Sequence, residues 1–177
     1  SAGNALMLEE LIRAVADGKG DDLPVTVMAM LQSRIGALDA TARKVLRAAS
    51  VFGATFWLGG LRALFTGERP TGDLVDYLNG LVHSEVLELR RDSRFPTDPE
   101  YRFRHALMRE AAYSLLTDED RARSHRIAGE YLTRQGETDP VILAEHAYRS
   151  GEKQQAIPHF IRAAEKALDG NDLTCAL

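Results

Sequence analysis

Residues 101–113 read YRFRHALMREAAY, and the change of period inside them decides the architecture of the chain. Tyr101 and Phe103 alternate with Arg102 and Arg104, the two-residue repeat of a strand with one buried face. The apolar positions Leu107, Met108, Ala111, Ala112 and Leu115 then follow helical spacing. His105 therefore falls at a strand-to-helix junction. A helix start carries N–H groups without intrahelical partners and a partial positive charge, so a residue there either caps the helix or meets an anion.

Upstream of the junction, VLELR at 86–90 alternates like a partner strand, and DSRFPTDPE is the turn between the two. Thr71 is placed to cap a helix, DLVDYLNGLVH, with Leu74, Leu78 and Leu81 as its inner stripe. Pro24 opens VTVMAMLQSRIGAL, with Met28, Met30, Leu31 and Ile35 at core spacing. Asp39 caps TARKVLRAASVFG, which buries Val45, Leu46, Ala49 and Val51 and ends at Gly53. A short TFW and a helical LGGLRALF follow. Residues 39–104 thus run helix, short strand, helix, helix, strand, loop, strand, the order of a winged helix.

Downstream the chain is helical only, over 105–116, from 118, over 140–150 and over 153–168, with Gly136 and Gly151 separating the last three. Leu143, Ala144, Ala156, Phe160 and Ala163 fit the small-residue spacing of one tetratricopeptide unit. Ala147 stands where an aromatic is usual, with Tyr148 beside it, and Leu168 replaces the closing proline. The expected fold class is mainly α: a winged-helix domain with a small β-hairpin wing, followed by tetratricopeptide-like helical hairpins. The expected divisions are 1–22, a lid helix and linker; 23–104, the winged helix; and 105–177, a helical linker and the start of the repeats. The chain starts in a helix-forming segment and stops at NDLTCAL, the pattern of an excised fragment.

Composition removes several functions. A net charge of −4 over 177 residues argues against a broad nucleic-acid or membrane-binding face. One cysteine, Cys175, permits neither an internal disulfide nor a thiolate zinc site. No apolar run approaches the roughly 20 residues that cross a bilayer, so a cytoplasmic protein is expected.

No G-x-x-x-x-G-K-[ST] is present to cradle phosphates, and Gly18-Lys19-Gly20 reads as linker. His83, His105, His125, His146 and His159 form neither H-E-x-x-H nor an i, i+4 pair, so capping and packing suit them better than a metal. Ser33, Ser50, Ser84, Ser114 and Ser124 lack the setting of a nucleophile. A winged helix invites a DNA-binding reading, but the 72–83 helix carries Asp73 and Asp76 and no Lys or Arg, the wrong sign for approaching a polyanion. Arg90, Arg91, Arg94, Arg102 and Arg104 gather on the wing against Asp92, Asp98 and Glu100, either as a phosphate contact or as a solvated hairpin.

Taken together these stretches resemble the region that follows the nucleotide-binding domain in STAND-type ATPases, the signal-transduction relatives of AAA proteins. GNALMLEEL at 3–11 resembles the end of the ATPase lid, with Ala5 where that family has proline. LPVTVMAMLQSRIGAL resembles the lead into the winged helix, and KVLRAASVFGATF its first helix. YRFRHALMREAAYSLL and RARSHRIAGEYL resemble the F-R-H-A-L-x-R-E-A-x-Y block and its successor in bacterial multidomain regulators, among them LuxR-type activators and adenylate cyclase-associated proteins.

The resemblance implies a regulatory, non-catalytic fragment of a larger ATPase. Its partners would be an absent upstream nucleotide-binding domain and a protein or small-molecule ligand on the helical repeats. The fragment would hold no cofactor, and the parent would bind ADP or ATP with Mg. In related NB-ARC proteins the histidine of an M-H-D motif opens the helix after the wing and contacts the β-phosphate of ADP. His105 occupies that junction, followed by Leu107 and Arg109 in an H-x-L-x-R match, with Ala106 in place of the acid. His105 is thus the implied phosphate contact, in concert with the missing domain; otherwise it is a helix-start histidine satisfied by the wing backbone. The alternative function is a DNA-binding module of a transcriptional regulator.

Overall fold

The computed structural model describes residues 25–66 and 73–169, which form eight helices and a three-stranded antiparallel sheet. The first helix, α1 (Val25–Gly36), turns Val27, Leu31 and Ile35 inward at i, i+4 and i+8, and leaves Met30 exposed. The expected stripe therefore holds at Leu31 and Ile35, while Val27 takes the core place assigned to Met30. Asp39 starts α2 (Ala40–Ser50) by accepting hydrogen bonds from the Thr41 and Ala42 N–H groups at 2.9 Å each. Val45, Leu46 and Ala49 are fully buried. The chain leaves α2 through Gly53, whose φ of +112° lies outside the range of ordinary side chains.

Strand β1 (Thr55–Trp57) runs directly into α3 (Leu58–Leu64). Helix α4 (Leu74–His83) is capped by Asp73, which accepts from Val75 N at 3.0 Å, rather than by Thr71, which lies outside the described residues. Its inner face is Leu74, Leu78 and Leu81, as the spacing predicts. Strands β2 (Leu87–Leu89) and β3 (Glu100–Phe103) complete the sheet in the order β1-β3-β2. Phe56 faces Tyr101 across β1 and β3, and their rings stack at 5.7 Å. Leu87 faces Phe103 across β2 and β3. These side chains close one apolar core with α1, α2, α4 and the following helix, α5 (Ala106–Ser114). Each fully buried large side chain contributes about 1.5–3 kcal/mol of transfer free energy to that core.

Three more helices follow: α6 (Asp118–Arg134), capped by Thr117; α7 (Pro140–Arg149), capped by Asp139; and α8 (Lys153–Asp169). Gly136 and Gly151 make the turns between them with φ of +82° and +87°. Helix α6 lies across α3 and the loop between β2 and β3. Gly59 and Gly60 permit that approach, because a Cβ on Gly60 would overlap the rings of Phe52 and Tyr131 and one on Gly59 the Asp98 carboxylate. Helix α7 packs on α6, and α8 packs on α7 through Ala156 with Phe160 exposed. Phe160, expected to pack in a repeat, therefore faces outward beside Tyr148, at a ring separation of 6.4 Å.

Candidate functional site

The strand-to-helix junction is built as its sequence implies. Tyr101 and Phe103 are buried, Arg104 is exposed, and His105 is the N-cap of α5 in extended conformation. The His105 carbonyl accepts from Met108 N at 3.1 Å, but its imidazole makes no capping hydrogen bond and stands exposed. The backbone of the β2–β3 hairpin does not satisfy it. Beside it Arg104 reaches Glu85 at 3.7 Å, and both side chains are largely solvated, so this pair is held weakly.

Most of the charge on the β2–β3 hairpin is already matched. Arg90 lies 3.8 Å from Glu100, Arg94 2.5 Å from Glu137, and Arg102 2.8 Å from Glu88. The Arg102 hydrogen bond and charge hold the exposed Glu88 carboxyl below its ordinary range. The loop between β2 and β3, though largely exposed, is pinned to the rest of the molecule at two points. Phe95 is buried in a cluster with Trp57, Tyr131 and Leu132, and Asp98 accepts from Gly59 N at 2.8 Å and from Tyr131 Oη at 2.6 Å.

Helix α5 carries the junction inward. Arg109, the arginine of the H-x-L-x-R match, donates from Nε to the Ser50 carbonyl at 3.1 Å and also pairs with Glu110. It clamps α5 to the last turn of α2. Near the other end of α5, Tyr113 is buried and meets His125 of α6, with Oη 2.8 Å from Nε2. His125 Nδ1 lies 3.1 Å from His146 Nδ1 on α7, and Arg149 Nη1 donates to Tyr113 Oη at 3.0 Å. The guanidinium groups of Arg109, Arg121 and Arg149 lie 5.2, 4.8 and 5.7 Å from the centre of the Tyr113 ring.

One proton arrangement satisfies the whole chain. Tyr113 O–H donates to His125 Nε2, His125 Nδ1–H donates to His146 Nδ1, and His146 keeps its proton on Nε2. Both imidazoles are then neutral. Burial, the facing His146 and the arginines hold His125 down to about 3, and burial holds His146 down to about 4 against the opposing pull of Glu145. Gly129 makes this contact possible, since a Cβ there would stand 3.3 Å from the Cβ of His146.

The structure thus separates His105, exposed at the junction, from His125 and His146, which it joins. The pairing of the latter two was missed in sequence, where they read as unrelated packing residues. The signal lies in the spacing: His125, Ala128 and Leu132 form one inward stripe of α6, so His125 belongs to a buried face. A groove of about 350 Å³ lies above the pair between α6, α7 and α8, walled by Arg126, Glu130, Gln155 and His159. Among the described residues no three His, Cys, Asp or Glu side chains converge as a metal-ligand set, and no helix is long and apolar enough to cross a membrane.

No family model and no solved structure matches the chain. A protein of Rhizobium meliloti (strain 1021), described as uncharacterized, is 32% identical over 184 residues. The match takes in 94% of this chain but spans only 17% of that protein's length.

Proposed function

We propose that the chain is a regulatory segment of a STAND-type signalling ATPase, in which residues 23–104 are a winged-helix domain and residues 105–177 a helical linker and the start of a tetratricopeptide-like array. The observation that carries this reading is His105: an exposed imidazole at the N-cap of α5, with its ring nitrogens uncommitted to the cap. The element order, with the sheet order β1-β3-β2, supports the winged helix.

The residues fit an anion of the adenine nucleotide class. His105, the first-turn N–H groups of α5 and the solvated Arg104 present positive or donor groups at one corner. ADP bound to the upstream domain would supply the phosphate charge. This chain's part is to hold that charge and to report it. Helix α5 does the reporting, because His105 at its start and Tyr113 about 12 Å further along belong to one rigid element. Tyr113 in turn joins α6 and α7, so a force on His105 is felt where the helical hairpins are anchored.

A DNA-binding reading finds less support. Helix α4 begins with Asp73 and Asp76, the wing arginines 90, 94, 102 and 104 each have a carboxylate partner, and the wing loop is packed on α6. The deciding experiment uses the intact parent with its upstream domain. His105→Ala should lower ADP retention at least about tenfold, the loss of one charged hydrogen bond. Unchanged retention together with unchanged resting activity sinks the proposal. Duplex binding with a steep salt slope would instead establish the DNA reading.

A further inference from the structure

The buried Tyr113, His125 and His146 take no part in the phosphate contact, and they sit where the α7–α8 hairpin leans on the rest of the molecule. We infer that they form an acid-sensitive latch: uncharged, they hold α7–α8 against α5 and α6, and protonation of the histidine pair frees the hairpin while residues 25–103 stay folded. The inference stands on this geometry and does not depend on the nucleotide reading.

The first argument is hydrogen-bond arithmetic. Two Nδ1 atoms 3.1 Å apart share one proton, one nitrogen donating and the other accepting. Protonating both imidazoles sets N–H against N–H and two charges in contact. Protonating His125 alone turns Nε2 into a donor toward Tyr113 Oη, which already accepts from Arg149 and must then send its own proton elsewhere.

The second argument is the surrounding charge. Arg109 from α5, Arg121 from α6 and Arg149 from α7 crowd Tyr113 and disfavour a cation on His125. Glu145 on α7 and the His125 backbone work the other way on His146, but Glu145 is half exposed and already paired with Arg149 at 2.8 Å. Across the groove Arg126, Arg134 and His159 offset Glu130 and Glu152. The buried carboxylates among the described residues, Glu100 and Glu137, do not line the groove over the pair.

The third argument is the thinness of the remaining hold. The apolar clusters of the described residues reach α7 only through the half-buried Ile142 and Leu143, and α8 contributes to none of them. Elements with so little buried apolar contact open at the lowest cost. Released histidines titrate near 6.5, so the latch is fully stabilising above that pH and is lost as pH falls toward the depressed folded-state values. Each proton taken up on opening shifts the equilibrium about tenfold per pH unit, and two shift it about a hundredfold.

The test is native-state amide hydrogen exchange on this chain from about pH 7.5 to about pH 5, corrected for intrinsic rates. Protection at Ala144 and Ala156 should fall toward about a hundredfold per pH unit at the acid end, while Val45 and Leu46 in α2 hold within about threefold. His146→Asn keeps an acceptor near the Nδ1 position and cannot titrate, so its slope should drop to about tenfold. Protection of α7–α8 that ignores pH, falls in step with α2, or keeps its full slope in H146N overturns the latch. Should H146N fail to dock the hairpin at all, the wild-type imidazole Cε1–H resonances decide. Two histidines that do not titrate near 6.5 support the latch, and ordinary titration of all five refutes it.

Discussion

Tyr131 Oη donates a 2.6 Å hydrogen bond to Asp98 Oδ2, tying α6 to the loop between β2 and β3. The same carboxylate accepts from Gly59 N at 2.8 and 3.0 Å, so one side chain joins the β2–β3 loop, the start of α3 and α6. Burial and the Asp98 charge both push the Tyr131 phenol upward, so it stays protonated and donating at any working pH. Tyr131→Phe keeps the ring contacts with Phe52, Trp57 and Phe95 and removes only the donor. It should cost about 1.5–3 kcal/mol, the range for a hydrogen bond to a charged group, read as a lower urea midpoint at constant slope. A shift worth less than about 0.5 kcal/mol would show that the Tyr131 donor adds nothing to the hold on the β2–β3 loop.

Two glycines allow a matched comparison. A Cβ at Gly60 would press into the Phe52 and Tyr131 rings, whereas one at Gly80, on the exposed side of α4, meets nothing within 4 Å. Gly60→Ala should destabilise by about 1–3 kcal/mol through overpacking. Gly80→Ala should stabilise by up to about 1 kcal/mol through helix propensity. Thermal unfolding of the two variants gives the sign of each, and equal signs would contradict the packing described for α6 against α3.

What the sequence disclosed follows the range of the forces involved. The inner stripe Leu74, Leu78, Leu81 and the Asp39 cap are local, set by helical period and by side chain-to-backbone geometry, and both stand. The phase of α1 was less legible, because VTVMAMLQ is apolar on every side and only packing chooses Val27 over Met30. Leu115, placed in the core by periodicity, is exposed and Leu116 is buried instead, since α5 ends at Ser114 and the chain turns. Phe95 looked like part of a polar turn, yet it is buried by Tyr131 and Trp57, contacts that no local pattern encodes. At the candidate site the N-cap place of His105 was legible from its junction, while spacing could place His125 on a buried face but not name His146, on another helix, as its partner.

His105 is exposed and uncommitted, so it should matter little to folding. His105→Ala should change stability by less than about 0.5 kcal/mol. Asp39→Ala, which removes an acceptor from two N–H groups, should cost about 0.5–2 kcal/mol. Parallel chemical denaturation separates the two. A large loss in H105A would mean that its imidazole supports the β3–α5 junction, and any ligand effect of that variant would then need a structural explanation.

Glu137 offers a test of how the α6–α7 turn is fastened. Its side chain is fully buried, with Oε1 accepting from Arg94 Nη2 at 2.5 Å and from Asp139 N at 2.8 Å, and its Oε2 has no partner. Arg94 is half exposed, so it gives up little hydration to neutralise a carboxylate that has lost nearly all of its own. Arg94→Ala should therefore cost more than an exposed ion pair does, about 1–3 kcal/mol, because it strands a buried charge. The informative variant is the double one. Adding Glu137→Met to Arg94→Ala removes the stranded carboxylate and should recover much of the loss, giving a coupling energy of about 1 kcal/mol or more in the double-mutant cycle. Strict additivity would mean that Glu137 is held by the Asp139 N–H and the packing around it, and that Arg94 is a bystander on the β2–β3 loop.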